Sequence, residues 1–163
     1  MIEGAKLSEF QIRGLRGGKT VSARFSDNTL ILVGENGSGK TTFLRMLFYF
    51  LSGRWSNLAE FDFETIAAEI NGQKFTLEHE DVLSMTSFLV DQRVLNRLPA
   101  SQRRRVNEMI DQGRFSDAEA LAAAFGSHLG FSPPRQTDLF KERDKKIEAV
   151  MALQEEVANT LQA

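Results

Sequence analysis

Hydrophobic and polar residues alternate along the first part of the chain, which is the period of a β-strand with one buried face. Residues 6–12 and 20–25 each show this alternation, and a glycine-rich connection over residues 14–18 joins them. The pattern predicts an antiparallel strand pair. A continuous apolar run at residues 30–33 follows and predicts a buried strand.

A second alternation surrounds the dipeptide Asn71-Gly72, with residues 66–70 before it and residues 75–79 after it. Asn-Gly between alternating runs is typical of a two-residue hairpin turn. We therefore predict a β-hairpin, with His79 as an exposed strand residue and not a metal ligand. A short apolar stretch at residues 87–93 predicts one further strand that ends in polar residues.

Helical patterns dominate the remainder of the chain. One helix is predicted to begin near Pro99, a second after a capping box at residues 116–119, and a third runs from about Thr137 to the C-terminus. The third has a coiled-coil-like seam that includes the polar Gln154. Its apolar members are Phe140, Ile147, Val150, Val157 and Leu161. The seam is too short to separate a coiled coil from an amphipathic domain helix.

The composition is that of an ordinary globular protein. The chain has 163 residues, 42% of them hydrophobic and 26% charged, with a formal net charge of −2. Because there is no cysteine, a disulfide scaffold and a cysteine metal site are excluded. The N-terminus lacks a signal-peptide pattern, and the longest apolar run is too short to cross a bilayer. We predict a soluble, cytoplasmic protein with no membrane partner.

Residues 34–41, with the sequence Gly-Glu-Asn-Gly-Ser-Gly-Lys-Thr, match every fixed position of the phosphate-binding P-loop motif G-x-x-x-x-G-K-[ST]. The predicted strand at residues 30–33 precedes the motif and a predicted helix at residues 42–51 follows it, as the motif requires. Glycines let the backbone approach phosphates closely, and the N–H groups at a helix N-terminus bind them. The predicted nucleotide-binding residues are Gly34, Glu35, Asn36, Gly37, Ser38, Gly39, Lys40, Thr41 and Thr42.

ATP and Mg²⁺ are the predicted cofactors. Lys40 is expected to reach the β- and γ-phosphates, and the Thr41 hydroxyl is expected to complete the Mg²⁺ shell. Arg16 lies in the glycine-rich connection, near where a bound nucleotide is expected. We include it among the nucleotide-binding candidates, although a solvated basic turn is the simpler interpretation.

The strand pair, the Gly-Glu-Asn-Gly-Ser-Gly-Lys-Thr-Thr form of the P-loop and the hairpin together resemble the N-terminal half of an ABC-type ATPase head. The similarity is to the AAA-family branch that contains SMC proteins, RecF and OLD-type nucleases. Gly14-Leu15-Arg16 stands where that branch has a strand-pair motif, with Leu15 in the place of its usual phenylalanine. The resemblance implies an α/β fold: a P-loop NTPase lobe with an antiparallel β subdomain and a C-terminal helical segment.

The resemblance also implies a site and a domain organisation. Gln92 matches the Q-loop glutamine, which reaches the Mg²⁺ ion and the attacking water, so it is the catalytic and metal-binding candidate beside Lys40 and Thr41. Residues 1–95 are expected to form the N-terminal ATPase lobe. Residues 96–163 are expected to form a helical insertion or the start of a coiled coil.

Three motifs of such ATPases are missing after residue 95: the serine-glycine signature, the Walker B run with Asp-Glu, and the switch histidine. The resemblance therefore implies that a C-terminal lobe, from the same gene or a separate chain, and a nucleotide-dependent dimer partner complete the site for ATP hydrolysis. It also implies a role in DNA repair or defence.

Two alternatives stay open at this point. Residues 88–91 also resemble a loose Walker B, in which Asp91 would hold Mg²⁺ and the chain would be a compact P-loop kinase or small NTPase. The hairpin between Lys40 and Asp91 favours the ABC-type interpretation. The second alternative is a nucleotide-gated binding module without turnover.

A run of arginines follows the Q-loop candidate and makes DNA a candidate partner. It consists of Arg93, Arg97, Arg103, Arg104 and Arg105. No aromatic residues are interleaved with it, so base stacking is not indicated. A solvated helix face is the simpler interpretation.

Overall fold

The computed structural model describes residues 4–35, 37–87, 96–128 and 140–162. A four-stranded antiparallel sheet with the order β2-β1-β3-β4 forms its centre. The strands are β1 (Leu7–Gly14), β2 (Lys19–Arg24), β3 (Thr65–Ile70) and β4 (Gln73–Glu78). Both predicted antiparallel pairs are therefore confirmed, and β1 also pairs antiparallel with β3.

The Asn71-Gly72 turn forms because both residues adopt positive φ angles, 53° and 79°. Two positive φ angles match the right-handed twist of the flanking strands, which is why Asn-Gly is favoured there. The Asn71 side chain also accepts a hydrogen bond from the Lys6 N–H at 2.7 Å. The turn thus closes the hairpin and fixes the start of the N-terminal strand.

One face of the sheet is buried by the helix that follows the P-loop, α1 (Lys40–Leu51). The apolar residues of α1 recur at helical spacing, so one stripe of the helix faces the sheet. The Phe10 ring of β1 meets the rings of Phe43 and Phe50 edge-on, with both pairs of ring centres 5.6 Å apart. These three rings are completely or almost completely buried. The contact fixes the position of the P-loop over the sheet.

Two strand predictions are wrong. Residues 30–33 belong to no strand, and among the described residues no strand lies beside them to supply hydrogen-bond partners. His79 is not an exposed strand residue: it begins a helix, α2 (His79–Ser87), and is half-buried with its ring centre 4.6 Å from that of Phe63. The chain leaves the sheet at Glu78, one residue before the alternation ends. Ser87, predicted to start a strand, ends α2, and the rest of that predicted strand lies outside the described residues.

Further helices follow α1 in the chain. A 3₁₀ helix at Trp55–Glu60 follows it, and the later helices are α3 (Ala100–Asp111), α4 (Phe115–His128) and α5 (Phe140–Gln162). The three helices predicted for the C-terminal part are confirmed. The second begins one residue before Ser116, so this serine lies inside the helix and not at its N-cap.

The seam of α5 packs on the chain's own core, as an amphipathic domain helix does. Val150 and Val157 are buried, and the polar Gln154 between them is also buried. Its amide Nε2 donates a hydrogen bond to the Gly53 carbonyl, just beyond the end of α1. The polar member of the seam therefore ties α5 to the end of the P-loop helix.

Buried apolar residues from the sheet, α1 and the helices after residue 95 form one continuous cluster. The boundary at residues 95 and 96 stays a prediction. Among the helices in the described parts of the chain, none has both the length and the apolarity that a bilayer crossing needs.

Candidate functional site

The P-loop motif forms a tight turn into the N-terminus of α1. Gly37 and Gly39 have φ angles of 85° and 97°, in the left-handed region that side chains disfavour. The Ser38 N–H donates to the Glu35 carbonyl at 3.2 Å, which closes the turn. Asn36, the remaining motif residue before α1, lies outside the described residues. The backbone conformation at Gly37 and Gly39 therefore favours glycine at both positions.

Lys40 lies across this turn. Its ammonium Nζ donates to the carbonyl oxygens of Gly34, at 2.5 Å, and Glu35, at 2.6 Å, and lies 3.3 Å from the Ser38 hydroxyl. The positive charge is thus held at the mouth of the loop by neutral acceptors. An anionic phosphate is a stronger acceptor for an ammonium than a carbonyl is. The lysine is placed to exchange these contacts for phosphate oxygens.

The N-terminus of α1 is open to an anion. Gly39 caps the helix without any side-chain hydrogen bond, and there is no acidic residue in the first turn. The first N–H groups of a helix have no acceptor within the helix, and the helix dipole makes this end positive. Thr41 is exposed at this end, so its hydroxyl is accessible. These groups could hold phosphate oxygens.

Arg16 is brought to the same helix end. Its guanidinium Nη2 donates to the Thr42 hydroxyl at 3.2 Å. The residue has a φ angle of 46°, which is strained for a non-glycine residue, and its N–H donates to the Asp62 carbonyl at 3.2 Å. The glycine-rich connection therefore places a second cation beside the P-loop.

The structure brings together most of the predicted nucleotide-binding residues. Arg16 and the described motif residues converge at the N-terminus of α1, where they could hold a triphosphate and Thr41 could reach its metal ion. Gln92 and Asp91 lie outside the described residues. In the described parts of the chain, no group of three or more histidine, aspartate or glutamate side chains could hold a metal ion. The metal candidates are thus Thr41 and, as a prediction, Gln92.

The segment that enters the P-loop exposes large apolar side chains. Ile31 is 82% exposed and Val33 is 90% exposed, whereas Leu30 and Leu32 pack against the core. Exposure thus alternates with the period of a β-strand although the segment pairs with no described strand. The sequence pattern predicted a buried strand here, whereas the structure has no strand at residues 30–33 and exposes Ile31 and Val33.

A second site, which we call the arginine cleft, lies beyond the C-terminal half of α1. It has a volume of about 300 Å³ and is lined by Tyr49, Arg54, Asn57, Arg104, Glu108 and Asp111. Sequence reasoning missed it because the fold brings α3 against the end of α1 and the 3₁₀ helix that follows it, which are more than forty residues away in the chain. Only the arginine run around Arg104 pointed towards it.

Asp111 closes one wall of the arginine cleft. Its carboxylate accepts the Ser56 N–H at 2.9 Å and the Ser56 hydroxyl at 2.8 Å. Burial raises the pKa of Asp111 from 3.8 to about 6, although both Ser56 hydrogen bonds and the nearby Arg54 act in the opposite direction. The Asp111 carboxylate thus links α3 to the 3₁₀ helix after α1. Its burial raises the free energy of its ionised form.

Because burial disfavours the ionised form of Asp111, we predict that the unfolding free energy of the chain depends on pH. Because the folded-state pKa exceeds the unfolded one, the folded chain binds the proton more tightly, and the Asp111 contribution to stability falls as the pH rises from about 4 to about 6. The wild-type unfolding free energy relative to Asp111→Asn should therefore fall by up to about 3 kcal/mol over this range. Urea unfolding at several pH values measures it, with the exposed Asp27→Asn as control for losing one carboxylate. A constant difference would contradict the burial effect.

The protein-family model described as an AAA ATPase domain matches residues 6–161 of the chain. The match covers the strand pair, the P-loop, the hairpin and the helices through α5. No curated protein and no solved structure matches the chain significantly.

Proposed function

The chain belongs to the AAA ATPase domain family, as a P-loop ATPase of the SMC, RecF and OLD-like kind, and from this we propose that it binds ATP with Mg²⁺ at residues 34–42. We further propose that it hydrolyses ATP only when a C-terminal lobe and a second head complete the site. ATP binding and hydrolysis are the general activities of the family. Our proposal goes beyond these general activities in three respects: the C-terminal lobe, the dimer partner and the biological process.

The observation that carries the proposal is the uncapped, acid-free N-terminus of α1 with Lys40 at its mouth. A turn that is only structural does not require a lysine over the Gly34 and Glu35 carbonyls beside free helix N–H groups. Each of these features serves one purpose, the binding of a phosphate chain. The family match makes ATP the nucleotide to test first.

The described residues bind and orient the nucleotide. In the proposal, the N–H groups of the loop hold the phosphates, Lys40 contacts the β- and γ-phosphates, and Arg16 moves from Thr42 to an adjacent phosphate oxygen. Thr41 contributes its hydroxyl to the Mg²⁺ ion, which neutralises phosphate charge when it is bound. Gln92, outside the described residues, stays the proposed residue that orients the attacking water.

The open segment before the P-loop supports a completing lobe. Ile31 and Val33 point an apolar, strand-like face towards solvent. Exposed apolar patches on a folded protein usually mark an interface. We propose that a strand of the C-terminal lobe pairs with residues 30–33 and that other residues of this lobe cover the Ile31 and Val33 side chains. The pairing would also bring the missing catalytic motifs next to the P-loop.

Two other functions remain as alternatives to this proposal. In a compact NTPase, Asp91 would hold the metal ion and the chain would turn over alone. In a nucleotide-gated module, ATP would bind without being hydrolysed even in the assembled protein. The exposed Ile31 and Val33 favour an assembled ATPase over the compact enzyme. DNA repair or defence is the proposed context.

Calorimetric titration with ATP and Mg²⁺ tests the binding part. We expect one saturable site, and Arg16→Gln should weaken ATP about tenfold because one charge-assisted contact is lost. Arg13→Gln is the matched control, since Arg13 is an exposed arginine of the same hairpin whose Nε donates to Gln11. Equal affinities for wild type and Arg16→Gln would remove Arg16 from the site. Absence of ATP binding by the wild-type chain would refute the proposed function.

A further inference from the structure

The side chain of Asn71, in the turn between β3 and β4, caps the C-terminal end of α5. Its amide Nδ2 donates a hydrogen bond to the Thr160 carbonyl at 3.1 Å. This carbonyl is one of the last four of α5, which have no donor within the helix. The Asn71 Oδ1 accepts from the Lys6 N–H at 2.7 Å, just before β1. One amide group thus joins the hairpin turn to the start of β1 and to the end of α5.

The residue after Asn71 makes this amide chemically labile. Asparagine is a thermolabile residue, and it loses its side-chain amide most readily when glycine follows, because glycine has no side chain to hinder ring closure. Asn71 and Gly72 are both exposed to water. Apart from the two neighbouring residues, no atom lies within 4 Å of the position that a Cβ on Gly72 would occupy. The space beside the Gly72 backbone is therefore open.

We propose that Asn71 is a deamidation site and that its conversion to aspartate releases the end of α5 from the hairpin. In this reaction the Gly72 backbone nitrogen attacks the Asn71 Cγ and forms a bond to it. The bond between Cγ and Nδ2 breaks, and ammonia leaves with the proton of the Gly72 N–H. Water then opens the succinimide ring to give aspartate or isoaspartate. The reaction needs no other reagent, and the inference does not depend on ATP binding.

An aspartate at position 71 can replace only one of the two amide contacts. Its carboxylate accepts the Lys6 N–H as the amide does, but it has no donor for the Thr160 carbonyl. The C-terminal end of α5 is the negative end of the helix dipole, and its last turn has no basic residue to balance a carboxylate. The Glu156 carboxylate, which accepts from Gln73 Nε2 at 2.5 Å, adds a negative charge nearby. Hydrogen bonding and charge therefore both favour the release of α5.

Peptide mapping of the folded chain after storage at mildly alkaline pH tests the modification. Trypsin releases residues 55–74, which contain Asn71 and Asn57 but not Asn36, the other asparagine that glycine follows. We expect the mass gain of an amide-to-acid change at Asn71 and none at Asn57. Gly72→Asn should slow the conversion, because asparagine tolerates the positive φ but hinders ring closure. Retention of the Asn71 amide in the folded chain, while the urea-unfolded chain loses it, would overturn the inference.

Hydrogen exchange on Asn71→Asp tests the release of α5. The backbone N–H groups of residues 159–162 should exchange about threefold to tenfold faster than in wild type, because one capping hydrogen bond is lost. Exchange in residues 146–150 should not change, since Gln154 holds that part of α5 to the Gly53 carbonyl independently of the hairpin. Stored wild-type chain should show the same acceleration in the fraction that has converted.

Asn28→Asp is the matched control. Asn28 also has a positive φ angle, 57°, and its side-chain amide also makes two hydrogen bonds, with Leu7 N–H and with the Ala5 carbonyl, both at 2.8 Å. Because both partners lie at the N-terminus and not in α5, this variant should leave exchange in α5 as it is in wild type. Wild-type exchange of α5 in Asn71→Asp, or equal acceleration in Asn28→Asp, would overturn the inference.

Discussion

Replacing Lys40 with alanine should weaken ATP binding about 30-fold to 1,000-fold while the chain stays folded. The Lys40 ammonium lies across the P-loop turn, 2.5 Å from the Gly34 carbonyl oxygen. Removing the partner of a buried phosphate charge costs about 2 to 4 kcal/mol, and each 1.4 kcal/mol is tenfold in affinity.

The measurement is calorimetric titration of wild type and Lys40→Ala with ATP and Mg²⁺, with urea unfolding as a check of the fold. Lys74→Ala is the matched control, because Lys74 is an exposed lysine of the edge strand β4. Unchanged ATP affinity in Lys40→Ala would refute the P-loop site. A loss of ATP affinity of similar size in Lys74→Ala would show that the effect comes from the net charge of the chain and not from the P-loop.

The second large effect is expected from the segment that enters the P-loop. Ile31→Glu combined with Val33→Glu should abolish ATP turnover by the completed head and leave the isolated chain stable. The two side chains are 82% and 90% exposed, so glutamate is tolerated in the chain alone. In the assembled head the same positions are expected to be buried, where an unpaired carboxylate costs several kcal/mol.

Phosphate release by the head with its C-terminal lobe measures this effect, and urea unfolding of the isolated chain is the check on stability. Thr20→Glu combined with Thr76→Glu is the control pair, since both threonines are exposed strand residues of the sheet. Normal turnover in the Ile31 and Val33 double variant would show that the C-terminal lobe does not bury these two side chains. Unfolding of the isolated double variant would show that these side chains already stabilise the chain.

The parts of the fold that were predicted correctly depend on local sequence. Asn71-Gly72 specifies its own turn, because both residues accept positive φ angles, and the alternation on each side then sets the register. The P-loop depends on a fixed spacing of glycines before Lys40. Both patterns are complete within a short stretch of chain, so no distant contact is needed to identify them.

The wrong strand predictions lie where the structure depends on contacts between distant residues, or on the point at which the chain leaves the sheet. Residues 30–33 have strand composition, but a strand requires a neighbour, and no described strand supplies one. His79 continues the alternation of β4, yet its N–H bonds to the Glu64 carbonyl at 2.9 Å and the chain turns into α2. Alternation alone cannot show where a chain leaves a sheet.

The site was predicted in part for the same reason. The motif predicts the phosphate-binding residues, whereas the contact of Arg16 with Thr42 depends on a left-handed backbone at Arg16 that composition does not reveal. The arginine cleft depends on Ser56 meeting Asp111 across the fold. Contacts between residues so far apart in the chain depend on how the whole chain packs.

The central claim is that this chain binds ATP but does not hydrolyse it without a completing lobe, and phosphate release by the purified chain tests it most directly. The P-loop positions phosphates but does not itself activate water. We therefore expect release at the background rate for wild type and for Asp91→Asn alike. Turnover at an ordinary enzymatic rate, of about 1 per second or more, that is lost in Asp91→Asn would contradict the claim and identify a compact NTPase instead.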